Sequence, residues 1–336
     1  MVYEALVLLR LTLYQKGIIF TKKSSTPIIS VGNLTVGGSG KTPMVDFLVK
    51  ELSKLGKTSS ILSRGYGNQT QSSLQRICAS EALPTGPISL GDEPYLLASM
   101  NPNVPVYVGR DRTIAAQLAT ILDSPDILIL DDGYQYLKLH RQLNLLLIDV
   151  ERGLGNGYLL PLGQLREPEH HWERADAIIL TKSNLGFADR LLHQLHTQLN
   201  ITCPVFKFDY KPLRLTRLDK QVSISLENLR EKQVLLSCGV AQPDGFATAL
   251  NQLGAEVVDL IRFDDHYPYS ETAVTKLLLQ KKKIEPDIWI TTEKDAVKLK
   301  QFPQLATEVW TLEMQVLPDS TWQEFFVDFL NKMKLD

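Results

Sequence analysis

The chain has 336 residues and an almost balanced charge, with 36 basic and 38 acidic side chains. Its 44% hydrophobic and 22% charged residues are typical of a globular protein, which excludes a disordered or collagen-like chain. A nucleic-acid-binding surface needs a basic surplus that this sequence lacks, so we expect no nucleic-acid partner. The three distant cysteines exclude a disulfide scaffold and indicate a reducing compartment, and the length predicts about two domains.

The first twenty residues are apolar but are interrupted by Glu4, Arg10 and Lys16. A membrane-spanning helix needs about 20 nearly uncharged residues, so this segment is not expected to span. Two interpretations stay open for it. One is a helix packed on the core of the protein, and the other is an interfacial helix that inserts part of its apolar surface into a membrane. In the second interpretation the inserted residues are Leu6, Val7, Leu9, Leu13 and Tyr14.

Short, continuously apolar runs then alternate with helical patterns along most of the chain. This alternation is typical of a parallel sheet covered by helices on both faces. The pattern changes in the stretch 205–218, where apolar and polar side chains alternate as in an exposed ribbon. We therefore predict an α/β protein with four parts. These are an N-terminal helix over 1–22, a first domain over 23–204, a connector ribbon over 205–218, and a smaller α/β domain over 219–336.

The strongest motif is IISVGNLTVGGSGKTP, from Ile28 to Pro43. A buried strand enters a glycine-rich turn, which is followed by Lys41, Thr42 and a helix, as a phosphate-binding loop requires. Glycines allow backbone N–H groups to converge on phosphate oxygens, and the helix N-terminus favours the same anion. The motif predicts a P-loop NTPase-like fold that binds ATP and Mg²⁺, with the nucleotide held by Gly37, Gly38, Ser39, Gly40, Lys41 and Thr42.

The loop departs from the usual pattern because Thr35 stands where that pattern has its first glycine. A second signal supports nucleotide binding: an apolar strand from Ile127 ends in Asp131 and Asp132. Two adjacent carboxylates repel each other unless a cation is present, so we expect them to bind Mg²⁺ together with Thr42.

Asp92 and Glu93 form a second acidic cluster at the start of an apolar helix. Asp92 is either the cap of this helix or a general base, while Glu93 is a candidate metal ligand facing the γ-phosphate.

Further polar residues follow predicted strands and precede predicted helices. Arg64 and Tyr66 lie in a strand-end loop that faces the ligand crevice in this fold, and Arg112 precedes a helix where it can neutralise phosphate. The stretch 153–168, which contains Arg166, is long for a loop and is a candidate lid. His266 is a candidate proton carrier, and Thr292 begins a helix with a capping box.

Taken together, these motifs resemble those of one family, the tetraacyldisaccharide 4'-kinases of lipid A biosynthesis. The matching segments occur in the order of that family and run from about Leu9 to Lys298. They are LRLTLYQKG, ISVGNLTVGGSGKTP, LSRGYG, GDEP, the DR of VGRDRTIAA, DDGYQYLKLHR, NGYLLPLGQLREP, FDDHYPY and TTEKDAVK.

The resemblance implies transfer of the ATP γ-phosphate to the 4'-hydroxyl of a tetraacylated glucosamine disaccharide 1-phosphate. It implies a catalytic dyad of Asp92 and His266. It places Arg112, Arg166 and Glu167 near the nucleotide or a phosphate. We assign Arg64, Tyr66, Asn33 and Gln135 to the sugar substrate.

The resemblance also implies a peripheral or monotopic enzyme at the cytoplasmic face of the inner membrane of a Gram-negative-type bacterium. Its expected partners are the lipid A disaccharide precursor and the membrane surface, with no obligate protein partner. Two alternatives stay open: a soluble P-loop kinase of a small metabolite, and a partner-binding nucleotide-switch ATPase. The second alternative is disfavoured because its signature lysine would stand at Val36.

Overall fold

The computed structural model describes residues 2–65, 74–82, 90–240 and 242–333. Within these ranges nine α-helices are present: α1 Val2–Gln15, α2 Lys41–Lys54, α3 Asp92–Met100, α4 Arg112–Leu122, α5 Ala188–Leu199, α6 Pro243–Gln252, α7 Glu271–Ile284, α8 Glu293–Leu299 and α9 Trp322–Met333. Short 3₁₀-helices lie between some of them, including one over Glu169–Arg174.

The strands of the described residues belong to one sheet. They are β1 Ile28–Gly32, β2 Ser59–Ser63, β3 Gln75–Ile77, β4 Val106–Val108, β5 Ile127–Asp131, β6 Leu143–Asp149, β7 Ala177–Thr181, β8 Val205–Arg217, β9 Ser223–Ile224, β10 Gln233–Cys238, β11 Glu256–Arg262, β12 Ile288–Thr291 and β13 Val309–Pro318. Their order is β11-β10-β12-β13-β8-β7-β6-β1-β5-β2-β4-β3, and β9 pairs with β8. The predicted mostly parallel α/β architecture is therefore confirmed.

The central strands are buried along their whole length, as continuous apolar runs require when helices cover both faces of a sheet. Antiparallel pairing within the described strands is confined to β3 with β4, β8 with β13, and β9 with β8. The stretch expected to be a connector is strand β8, which joins the two halves of the sheet. The division into domains stays a prediction.

The registers of β8 explain how the two halves face each other. Val205 to Phe208, at the start of β8, pair with β7 in parallel, whereas Arg214 to Arg217, at its end, pair with the start of β13. Because β13 runs antiparallel to β8 and parallel to β12, the strands of the second half point back toward the first half. The carboxyl ends of both sets of strands therefore face each other.

Helix α1 lies beside the segment that follows β5. Tyr3 Oη donates a hydrogen bond to the Arg166 carbonyl at 2.9 Å, and Arg10 Nη2 donates to the Gln135 carbonyl at 2.6 Å. Among the expected inserted residues, Leu6 and Leu9 are exposed, whereas Val7, Leu13 and Tyr14 are half-buried. No helix in the described part of the chain has the length and apolar character needed to cross a membrane.

Candidate active site

The glycine-rich loop between β1 and α2 needs glycine at two positions. Gly37 and Gly40 have φ angles of 105° and 80°, in the left-handed region that favours glycine. A Cβ atom at Gly37 would lie 2.3 Å from Arg152 Nη1, and one at Gly40 would lie 2.6 Å from the Tyr210 ring. The Tyr210 hydroxyl also donates a hydrogen bond to the Gly40 carbonyl at 2.8 Å. The loop is therefore held in one shape by a side chain from β8.

The other loop residues are placed to face a ligand. A Cβ atom at Gly38 would meet nothing within 4 Å, so the backbone there borders open space. Among the described residues the Ser39 hydroxyl is buried without a hydrogen-bond partner, and Thr42 is half-buried in the first turn of α2. A hydroxyl without a partner beside a helix N-terminus fits the binding of a polyphosphate. The structure thus brings the predicted nucleotide-binding loop into a suitable conformation.

Lys41 reaches from this loop to the end of β5. Its ammonium nitrogen lies 3.3 Å from Asn33 Oδ1 and 3.6 Å from Asp132 Oδ1. Arg166 Nη1 contacts both carboxylate oxygens of Asp132 at 3.0 Å. Burial disfavours the charged form of Asp132, but Lys41 and Arg166 outweigh it and hold its pKa below the usual range. Gln135 joins the group by donating to the Asn33 carbonyl at 2.8 Å.

Asp131 is in a different environment from its neighbour. It is buried at the end of β5, where it accepts a hydrogen bond from Ser63 Oγ at 2.9 Å. Its pKa is raised because it is buried, with further contributions from the charges of Glu93 and Asp132. A carboxylate whose charge is so poorly compensated is a suitable cation ligand.

In the described ranges no three acidic, histidine or cysteine side chains are grouped to hold a metal by themselves.

Asp92 is not the cap of its helix, so that interpretation is wrong. Gly91 occupies the cap position and Asp92 begins α3, with no side-chain cap hydrogen bond. The Asp92 carboxylate instead points toward the second half of the protein. Its Oδ2 lies 3.0 Å from His266 Nδ1 and 3.2 Å from Lys298 Nζ. Burial alone would raise the pKa of Asp92, but His266 and Lys298 outweigh it and lower the pKa.

Two lysines of α8, which were not predicted as site residues, belong to the same cluster. Lys294 Nζ lies 3.0 Å from His266 Nε2 and 2.7 Å from Asp265 Oδ1. Lys298 is buried and also approaches Asp295 Oδ1 at 3.5 Å. The predicted cap of this helix is present, because Thr292 accepts a hydrogen bond from the Asp295 backbone. The two lysines are four residues apart in the helix that follows β12. This spacing places them on one face of the helix, and it is the sequence signal that could have identified them.

The arginines expected near phosphate have unequal surroundings. Arg112 begins α4 and is buried, and its guanidinium lies 3.9 Å from the centroid of the Tyr136 ring. Burial lowers the pKa of Arg112, and the nearby positive charge of Arg64 adds to this. Arg64 itself is exposed at the end of β2. Tyr66 lies outside the described residues.

The candidate lid lies along the entrance to the nucleotide loop. Val36 N donates to the Gln164 carbonyl at 2.8 Å, and Arg166 N donates to the Leu34 carbonyl at 2.7 Å. Glu167 is buried and contacts Arg174 and, at 3.1 Å, His171 Nδ1. Its assignment to the nucleotide stays a prediction, since these contacts make it a partner of two basic side chains.

Comparisons with known proteins show the family to which the chain belongs. A family model for tetraacyldisaccharide-1-P 4'-kinase matches residues 1–332. A tetraacyldisaccharide 4'-kinase of Desulfatibacillum aliphaticivorans is 38% identical, over 100% of this chain and 90% of the relative. One of Geobacter sulfurreducens is 36% identical, over 94% and 87%. A crystal structure of "apo" form LpxK from Aquifex aeolicus in complex with ATP has a TM-score of 0.79 and 33% identity, covering 98% and 96% of the two chains.

Proposed function

Because the chain belongs to the tetraacyldisaccharide-1-P 4'-kinase family, we propose that it transfers the ATP γ-phosphate to the 4'-hydroxyl of a tetraacylated glucosamine disaccharide 1-phosphate. The observation that carries the proposal is the position of Asp92. His266 and Lys298, from the second half of the sheet, contact its carboxylate. The next residue, Glu93, is near Asp131 at the end of β5, and its negative charge contributes to the raised pKa of Asp131. No observation favours a small-metabolite kinase or a nucleotide-switch ATPase.

The nucleotide would lie on the loop from Gly37 to Gly40. Backbone N–H groups there and the N-terminus of α2 would hold the β- and γ-phosphates, with Lys41 adding a positive charge. Thr42 and Asp131 would hold Mg²⁺, and Asp132 and Glu93 are further candidate ligands. When bound, Mg²⁺ neutralises charge on the phosphates.

Asp92 is well suited to accept the proton of the attacking hydroxyl. Its lowered pKa keeps it ionised at neutral pH, and His266 and Lys298 hold its Oδ2 oxygen, which leaves Oδ1 for the substrate. As the 4'-oxygen forms its bond to the γ-phosphorus, the bond to the β,γ-bridging oxygen breaks and ADP leaves. The hydroxyl proton passes to Asp92, and His266 stabilises the protonated pair.

The remaining site residues would position the two substrates. Arg166 is already paired with Asp132 and lies beside Gln135 and Asn33, which gives the sugar a polar wall next to the phosphate loop. Arg112 is placed to neutralise phosphate, and its buried guanidinium lies within a pre-formed stack on Tyr136. Arg64 would line the outer side of the acceptor, while the assignment of Tyr66 to the sugar stays a prediction from the sequence.

A lipid acceptor requires the enzyme to reach a membrane surface, and α1 supplies an apolar surface for this. Leu6 and Leu9 are 59% and 56% exposed, and Ile18 and Phe20, which follow the helix, are 62% and 81% exposed. Exposed apolar side chains of this kind bind reversibly at the interface of a bilayer. We place the enzyme peripherally at the cytoplasmic face of the inner membrane.

The test is transfer of radiolabelled γ-phosphate from ATP to the tetraacylated disaccharide 1-phosphate, followed by thin-layer chromatography. The proposal predicts a labelled lipid that requires both Mg²⁺ and Lys41. If the protein hydrolyses ATP but labels no lipid, or if Lys41→Ala keeps near-normal turnover at subsaturating ATP, the assignment is wrong.

A further inference from the structure

The two ring nitrogens of His266 face charged groups of opposite sign. Nδ1 lies 3.0 Å from Asp92 Oδ2, and Nε2 lies 3.0 Å from Lys294 Nζ. An ionised carboxylate only accepts hydrogen bonds, whereas an ammonium group only donates them. The two contacts therefore determine which ring nitrogen carries a proton.

Lys294 is a charged donor, because its ammonium group is also paired with a carboxylate. Its Nζ lies 2.7 Å from Asp265 Oδ1. Burial alone would raise the pKa of Asp265, but Lys294 outweighs it and lowers the pKa. This ion pair favours the ammonium form of the lysine, which has three N–H donors and no acceptor. The contact with His266 Nε2 therefore requires a lone pair on that nitrogen.

The opposite arrangement places two donors against each other. If Nε2 carried a hydrogen, that hydrogen would face Lys294, and Asp265 Oδ2 at 3.9 Å is too far to accept it. A ring protonated on both nitrogens would meet the same conflict and would add a second positive charge beside the ammonium group. The neutral ring with its proton on Nδ1 satisfies both contacts of His266.

The backbone on each side of the contact fixes its geometry. Helix α8 begins with a cap at Thr292, and Gly239 N, just after β10, donates to Asp295 Oδ2 at 2.9 Å. His266 has a φ angle of 62°, in the left-handed region, and its N–H donates to Asp265 Oδ1 at 3.1 Å. Two anchored segments therefore bring the lysine and the imidazole together.

We propose that Lys294 is a positioning residue, which donates to His266 Nε2 and so holds the imidazole proton on Nδ1, directed at Asp92. This inference rests on the proposed function and identifies the member of the pair that accepts the proton of the attacking hydroxyl. His266 already has a proton on the nitrogen that faces Asp92, so it donates to the carboxylate and does not accept. The hydroxyl proton passes to Asp92 Oδ1 as the new O–P bond forms.

The position of the proton can be measured by NMR on protein labelled with ¹⁵N in histidine. The chain has six histidines, and His266→Asn identifies the signals of this one. At neutral pH we expect a protonated Nδ1 and an unprotonated Nε2. In Lys294→Met we expect Nε2 to gain a proton, because Asp92 and Asp265 both favour the charged ring once the ammonium group is removed. Lys294→Arg, which still donates, should keep Nε2 unprotonated.

Steady-state kinetics with the lipid acceptor measures the effect on the reaction. Lys294→Met should lower kcat by about 10- to 100-fold, as expected for a lost charge-assisted hydrogen bond, and leave the KM for ATP unchanged. Lys294→Arg should restore most of the rate. Lys276→Met is the matched control, since this lysine is exposed on α7 of the same half, and it should behave as the wild type.

A double-mutant cycle separates positioning from a merely structural role. Because Lys294 acts through Asp92, Lys294→Met should cause no further loss of kcat in the Asp92→Asn protein. The same loss in both backgrounds, wild-type kcat in Lys294→Met, or a proton on His266 Nε2 in the wild type would overturn the inference. If the wild type phosphorylates no lipid although its Nε2 is unprotonated, the proposed function fails and the proton assignment stands.

Discussion

Asp92 is the residue on which the chemistry depends most. Its carboxylate begins a helix in one half of the sheet and meets His266 and Lys298 of the other half within 3.0 and 3.2 Å. Both partners contact the same oxygen, so the second oxygen is free of these contacts. An acidic residue at the start of a helix usually serves to cap the helix. The contacts of Asp92 across the cleft indicate a different role for its carboxylate.

Replacing Asp92 with asparagine keeps its size and removes the proton acceptor. We expect kcat to fall by about 10²- to 10⁴-fold with little change in the KM for ATP, because a positioned base contributes that much. Steady-state kinetics with the lipid acceptor measures this. Asp264→Asn is the control, since Asp264 is exposed and close in sequence to His266. Wild-type turnover in Asp92→Asn would show that another group takes the proton.

Two glycines, Gly40 in the phosphate loop and Gly56 after α2, allow the effect of steric contact to be separated from that of backbone strain. Gly40 and Gly56 both have positive φ angles, but a Cβ atom meets the Tyr210 ring only at Gly40. We expect Gly40→Ala to weaken ATP binding strongly, because the loop must shift, whereas Gly56→Ala should affect stability alone, by about 1 kcal/mol. Calorimetric titration with ATP and thermal unfolding measure the two effects. Equal ATP affinities would contradict this view of the loop.

At the scale of elements, most of the fold was predictable. The buried strands β1, β5, β6 and β7 are continuous apolar runs, and glycine or aspartate stands at the ends of the first three. The contacts between distant elements could not be predicted, since local patterns do not report which loop meets which. Lys298 is an example, because its partner Asp92 is about two hundred residues away in sequence but 3.2 Å away in space.

Helix α8 contains a group whose titration can be measured. The pKa of Glu293 is raised to about 7, mainly by burial and then by the charge of Glu313. Between its usual pKa and 7 the folded state binds more protons than the unfolded state, so stability falls as pH rises through this window. Glu293→Gln removes that cost.

At pH 8 we expect the free energy of unfolding of Glu293→Gln to exceed that of the wild type by about 1–2 kcal/mol, so the variant unfolds at a higher temperature. At pH 5 the two proteins should differ little. Thermal unfolding at the two pH values measures this. A variant that is less stable than the wild type at pH 8 would mean that the ionised carboxylate stabilises α8.

Helix α1 can be tested apart from the chemistry. Replacing Leu6 and Leu9 by aspartate should strongly reduce flotation with anionic vesicles. The two exposed leucines would insert into the bilayer interface, whereas aspartates at the same positions would not. Turnover with a detergent-dispersed acceptor should be unchanged. Ile121 and Leu122, also exposed but on α4, are the matched control positions. If both double variants float equally well, α1 is not the membrane contact.

For the whole molecule, β8 is the feature that makes one site from two halves. Its start pairs with β7 and its end with β13, so the strands of the second half point toward the phosphate loop. Sequence alternation predicted that this stretch is extended, but not that it lies inside a continuous sheet. The pairing of β8 with β13 joins segments about a hundred residues apart in sequence, and local sequence patterns do not report such contacts.

In the proposed reaction one γ-phosphate passes from ATP to one particular hydroxyl. The most direct measurement is tandem mass spectrometry of the lipid product after reaction with ATP labelled in the γ-phosphate. The labelled phosphate should be found on the 4'-oxygen of the distal glucosamine, and Asp92→Asn should form this product at least a hundredfold more slowly. Label on a different oxygen, or ATP hydrolysis without any labelled lipid, would contradict the account.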